Sequence, residues 1–161
     1  MSESNKKRNL PYRPQRIKDI HLLDYTDLLR QNEDGRYWDP VRNMWLDAAP
    51  EEMVRLLLVH GLNHKFNVSF RRMATERGLK DKRKMRFDLV IFDSSGQPHL
   101  LIECKSPERP LMIEHFIQLG NYNESLNARF VMLTNGVNSV VIDLNSHEFI
   151  ESLASCFPSN S

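Results

Sequence analysis

The stretch from Leu100 to Leu133 constrains the fold of this chain more than any other. It reads as an apolar strand, a helix and a second apolar strand. These are His99 to Lys105 (HLLIECK), a helical run from about Leu111 to Leu126 set off by Pro107 and Pro110, and Phe130 to Thr134 (FVMLT). Two strands joined through a helix lie parallel, with a right-handed crossover. Upstream, Arg86 to Asp93 (RFDLVIFD) and the turn Ser94-Ser95-Gly96-Gln97-Pro98 predict a hairpin with the strand at His99. The sheet is therefore mixed. Downstream, Asn135-Gly136 predicts a tight turn into Ser139–Leu144 (SVVIDL), and Phe149 to Phe157 reads as a closing helix.

The N-terminal half is less regular. His21 to Arg30 predicts a short helix that Asn32-Glu33-Asp34-Gly35 ends, and Tyr37 to Leu46, broken by Pro40, predicts a short extended or hairpin segment. Pro50 followed by Glu51 and Glu52 suits a helix start, where acids complement the dipole. Met53, Leu56, Leu57 and His60 follow at helical spacing, with Gly61 as the expected stop. Phe66, Val68 and Phe70 alternate like a strand. The resulting order, α, three strands, α, two strands, α, predicts an α/β sandwich about a central sheet. Residues 1–20, basic and holding Pro11 and Pro14, read as a flexible leader; residues 21–161 read as a single domain, the size 161 residues allow.

Hydrophobic residues are 40% and charged residues 27% of the chain, which excludes a disordered polymer. No long uncharged apolar run predicts a membrane span or a secretory signal. Two cysteines, Cys104 and Cys156, are too few for a disulfide framework, so the expectation is a reduced, cytoplasmic protein. The net charge of +1 hides basic clusters at Lys6, Lys7, Arg8, Arg13, Arg16 and Lys18, and again at Arg71, Arg72, Arg77, Lys80, Lys82, Arg83, Lys84 and Arg86. Such clusters suit a phosphate-binding face, and equally a solvated loop.

The chemistry concentrates at the end of the His99 strand. Side chains alternate along a strand, so Glu103 and Lys105 share one face and Cys104 takes the other. The hairpin through Ser94–Pro98 brings Asp88 alongside Glu103, which gathers two carboxylates and an amine on one patch. Adjacent carboxylates are stable as anions only with a cation between them, and hard oxygen ligands select Mg²⁺ or Mn²⁺. The plain alternative is a surface ion pair between Glu103 and Lys105 beside an unrelated Asp. Charges at the inner end of the apolar run Leu100-Leu101-Ile102 argue against it.

These residues resemble the PD-(D/E)xK, or restriction-endonuclease-like, nucleases. The resemblance is closest to the N-terminal nuclease domain of type I restriction enzyme motor subunits in a small free-standing form. It is carried by Tyr37-Trp38-Asp39-Pro40-Val41-Arg42, Pro50-Glu51-Glu52-Met53-Val54-Arg55, Arg86-Phe87-Asp88-Leu89-Val90, Pro98 to Lys105, Gln118 to Tyr122-Asn123, and Leu133-Thr134-Asn135-Gly136. Phe87 stands where the family name has Pro. The resemblance implies a three-layer sandwich with a central mixed sheet flanked by helices. It implies a metal-dependent DNA endonuclease leaving a 5′-phosphate and a 3′-hydroxyl, with Mg²⁺ (or Mn²⁺) as cofactor. Asp88, Glu103, Lys105 and Gln118 would be catalytic; Asp88, Glu103, the Cys104 carbonyl and Glu52, with Glu51 close by, would hold the metal. Arg71, Arg72, Arg83, Lys84, Arg86 and Tyr122 are the candidate DNA contacts. DNA is the expected partner, together with a separate specificity or motor protein, or a second copy in a homodimer, and no membrane. The sequence carries no G-x-x-x-x-G-K-[ST] phosphate loop, so ATP-driven translocation is not expected of it.

The second reading is a catalytically silent module of the same fold that binds DNA or docks a protein. Other features fit bland roles better. His60 and His64 have the spacing of a metal pair, but Gly61-Leu62-Asn63 between them holds no Glu and marks the expected helix end; Cys104 reads as a buried hydrophobe, and Tyr37, Trp38 and Trp45 read as packing aromatics.

Overall fold

The computed structural model describes residues 17–75 and 88–158. A small hairpin of β1 (Tyr37–Asp39) and β2 (Met44–Leu46) comes first, as expected for that aromatic segment. Trp38 and Trp45 meet edge to face with ring centroids 5.4 Å apart, and the Arg30 guanidinium lies over both rings. Helix α1 (Pro50–Phe66) follows, then β3 (Met73–Ala74), β4 (Leu89–Phe92), β5 (Pro98–Cys104), α2 (Ile113–Leu126), β6 (Phe130–Thr134), β7 (Ser139–Asp143) and β8 (Glu148–Ile150). The last six strands form one sheet in the order β3-β4-β5-β6-β7-β8. Only β5 and β6 are parallel, the pair joined through α2.

The two helices cover opposite faces. Leu89, Ile91, Leu100, Ile102 and Cys104 turn to the α1 side, where they join Val54, Leu57, Leu58 and Leu62 in the larger core. Val90, Leu101 and Val131 turn to the α2 side and meet Leu119, with Tyr122 and Leu126 packed around them. Alternation of β-strand side chains produces this division. The α/β three-layer sandwich is the architecture that the sequence predicts.

Four local expectations fail for identifiable reasons. First, Gly61 does not stop α1. It lies under Tyr25 and Ile20, where an added Cβ would sit 2.8 Å from the Tyr25 ring, and the helix ends at Asn67 in the left-handed region. Second, Phe66–Arg71 is not a strand, because Ser69 accepts from the Arg71 amide and starts a 3₁₀ turn over Phe70–Arg72. Third, Phe149–Phe157 is not a helix. Glu148–Ile150 pairs with β7, and a single 3₁₀ turn follows over Leu153–Ser155. Fourth, Ile17 and Ile20, from the stretch read as leader, are buried, and the Ile17 amide donates to the Ser139 carbonyl. The short helix expected from His21 forms as a 3₁₀ helix over Leu22–Leu28. No helix among the described residues is long and apolar enough to cross a membrane.

Candidate active site

Asp88 and Glu103 come together through the β4–β5 hairpin. Leu89 pairs with Ile102, and the Asp88 amide donates to the Ile102 carbonyl at 3.1 Å, which sets Asp88 beside Glu103. The Asp88 carboxylate turns back on β5 and accepts from the Cys104 amide at 2.6 Å. Lys105 Nζ donates to Glu103 Oε1 at 2.8 Å, while Glu103 Oε2 is buried with no hydrogen-bond partner among the described residues. Glu103, two residues on from Leu101, lies on the α2 side of β5, and Lys105 joins it there through their ion pair. Cys104 points the other way into the larger core, where burial drives its thiol pKa well up and leaves it protonated.

The electrostatics match this crowding. Burial pushes the Asp88 carboxyl up to about 6, and the Glu103 charge adds to the rise. The Cys104 amide, Lys105 and Arg55 pull it back. Such a shift disfavours the charged form of Asp88 near neutral pH.

The loops that fix Lys105 come from β6. The Lys105 amide donates to the Thr134 carbonyl at 2.8 Å. Asn135 accepts from the amides of Val137 and Asn138 and donates to the Arg109 carbonyl, so the β6–β7 turn clamps the segment after Lys105. Gly136 completes that turn at φ +87°, a value that favours glycine. Sequence reading sees Asn135-Gly136 as a turn and Leu133-Thr134-Asn135-Gly136 as part of the family resemblance, without this clamp.

Other expected residues stand elsewhere. Glu52 rides on α1, against the opposite face, and its carboxylate is held by Arg55 (Nη2 at 2.6 Å, Nε at 3.0 Å) and by Arg42 at 3.5 Å. No three His, Cys, Asp or Glu side chains gather as a metal-binding group among the described residues, so Glu52 does not join Asp88 and Glu103. Glu51 is exposed. Gln118 is exposed too, because the stripe of α2 that meets the sheet is set by Leu119 and Asn123. Tyr122 packs against the smaller core. Arg71 is exposed and Arg72 donates to the Phe92 carbonyl, at the end of β4 away from Asp88. Arg83, Lys84 and Arg86 lie outside the described residues; Thr75 and Asp88, which flank them, sit at the Glu103 end of the sheet.

Behind the patch lies a charge network that sequence reading missed. Arg55, 2% exposed, donates to Asp39 Oδ2 at 2.7 Å as well as to Glu52, and Asp39 is fully buried. Asp39 Oδ1 also accepts from the amides of Val41 and Arg42, which closes the β1–β2 turn. The signal was available in part: Glu52 and Arg55 are spaced i, i+3 on α1.

The model of the type I restriction enzyme R protein N terminus family matches residues 50–154. The chain belongs to that family. The matched span runs from the start of α1 through β8 and contains Asp88, Glu103 and Lys105. The mixed sheet between two helical layers is accordingly a restriction-endonuclease-like fold. No curated protein matches the sequence.

Proposed function

We propose that this domain is a metal-dependent DNA endonuclease acting through Asp88, Glu103 and Lys105. The observation that carries the proposal is the buried Glu103 Oε2, without a partner among the described residues, beside an Asp88 carboxyl that burial and Glu103 raise to about 6. Two carboxylates in this state fit a hard divalent cation that takes few protein ligands and keeps several waters, the habit of Mg²⁺ and Mn²⁺. Asp88, Glu103 and the Cys104 carbonyl would hold it. Once bound, the ion would polarise a phosphoryl oxygen and lower the pKa of a coordinated water.

The chain's own groups do the rest. Lys105, now paired with Glu103, offers a positive charge to the phosphate as negative charge builds on it. Arg55 is a positioning residue, since its charge favours ionised Asp88 and Glu52 holds the guanidinium in place. Gln118, exposed on α2, is a DNA contact in this reading. A module that only binds DNA gains nothing from acids facing a phosphate backbone, which favours the enzyme over the silent alternative. Any translocating motor or specificity protein would be a separate partner.

Plasmid, linear and branched DNA incubated with the protein in Mg²⁺, Mn²⁺ or EDTA test this proposal. Nicked or linear products should form with wild type and metal only, bearing 5′-phosphate ends. Absence of cleavage on every substrate, or equal cleavage by the Asp88→Ala/Glu103→Ala variant, contradicts it.

A further inference from the structure

We propose that His115 is a phosphate-binding residue of this site, donating its Nε2–H to a non-bridging oxygen of the DNA phosphate that meets Lys105. The inference rests on the nuclease reading above and gives it a further contact.

Placement comes first. Along α2, His115, Phe116, Leu119, Tyr122, Asn123 and Leu126 are buried or half-buried, whereas Glu114, Ile117, Gln118 and Gly120 are exposed. Helix α2 covers the face of β5 that carries Glu103 and Lys105. It connects two parallel strands, so it runs antiparallel to β5, and its first turn lies at the end of β5 that carries Glu103 and Lys105. His115, in that first turn, is the polar member of the stripe at the catalytic end. Asn123, two turns on, is spent on the backbone of Ala128.

The ring is also set for the task. The Met112 amide donates to His115 Nδ1 at 3.2 Å, so the neutral imidazole carries its proton on Nε2. Burial and the Lys105 charge, with Arg109 adding to them, lower the pKa of His115 against the opposing pull of Glu103 and Glu114. A neutral ring with a fixed Nε2–H can donate to an anionic oxygen without adding repulsion towards Lys105. Sequence reading passed over His115 because its role depends on which stripe of α2 meets the sheet.

Capping of α2 is the competing role, and three variants separate the two. Glu is the usual residue at this capping position, so His115→Glu keeps the cap while setting a negative charge against phosphate. Two assays are read for each variant: DNA affinity in Ca²⁺, and the single-turnover cleavage rate in Mg²⁺. Melting temperature is followed in parallel. His115→Glu should melt like wild type yet bind DNA at least about 10-fold more weakly and cleave about 100-fold more slowly. His115→Ala should lose about 10-fold in affinity, and His115→Gln, which keeps an N–H donor, should lose less than His115→Ala. Wild-type affinity and rate in His115→Glu and His115→Ala overturn the inference, as do losses that only follow melting temperature. If wild type binds DNA but cuts none, the nuclease reading fails, and the Ca²⁺ affinities alone decide the His115 contact.

Discussion

Breaking the buried ion pair between Arg55 and Asp39 should be among the most damaging single changes in the molecule. Arg55→Met removes the guanidinium and leaves the Asp39 carboxylate, which has no solvent exposure, with two backbone amides and the more distant Arg42 at 3.6 Å. Stranding one member of a buried pair typically costs about 3–5 kcal/mol. In a domain of this size each kcal/mol shifts the melting temperature by about 2–4 °C, so the midpoint should fall by roughly 6–20 °C. Asp39→Ala should cost a similar amount, because Arg55 keeps only Glu52 and the turn amides of Val41 and Arg42 lose their acceptor. The double variant should be much less unstable than the sum of the two, with a coupling of about 2 kcal/mol or more. Urea unfolding of the four proteins, at fixed pH and without added metal, gives these numbers directly. Single variants that lose under about 1 kcal/mol each, and add, would refute the view that this pair anchors α1 and the β1–β2 turn behind the site.

Three further outcomes follow. Asp88 has a folded pKa above its unfolded one, so the stability tied to its protonation is complete below about pH 4 and lost as pH rises through about 6. Without metal, Asp88→Asn should therefore gain on wild type by about 2–3 kcal/mol between pH 4 and 7, and Mg²⁺ should raise the wild-type melting point most at the upper end; a pH-independent difference refutes this. Gly61→Ala should destabilise: the Tyr25 ring and Ile20 must move for a Cβ 2.8–3.0 Å away, an overpacking cost of about 1–3 kcal/mol against a helix-propensity gain of about 1, and a higher melting point would contradict it. Neutralising Arg83, Lys84 and Arg86 together should flatten the dependence of DNA affinity on salt, and an unchanged slope would place the basic face elsewhere.

The parts of the fold that local period dictates were legible in the sequence. Strand alternation put Glu103 and Lys105 on one face and Cys104 on the other, and counting through the Ser94–Pro98 turn set Asp88 beside Glu103. Features decided by distant contacts were not. Gly61 reads as a helix stop until Tyr25 is known to press on it. Gln118 reads as site-facing until Leu119 fixes which stripe of α2 meets the sheet. Glu52 reads as a free acid until Arg55 and Arg42 are seen to hold it. Asp39 gives no sign in sequence that Arg55, sixteen residues later on α1, pairs with its buried charge. The edge strand β8 lacks a strong pattern of its own and exists by pairing with β7.

The central claim is that Lys105, set between Glu103 and the incoming phosphate, acts in cleavage. Its most direct test is the single-turnover cleavage rate of wild type and Lys105→Ala at saturating Mg²⁺, with DNA affinity and melting temperature measured in parallel. Loss of a positioned charge at the reacting phosphate should raise the barrier by about 3–4 kcal/mol, roughly a hundred- to a thousandfold in rate, with fold and metal-induced stabilisation preserved. A simple ion-pair partner of Glu103 would instead cost about 0–1 kcal/mol of stability and leave the rate unchanged, and that result would contradict the account.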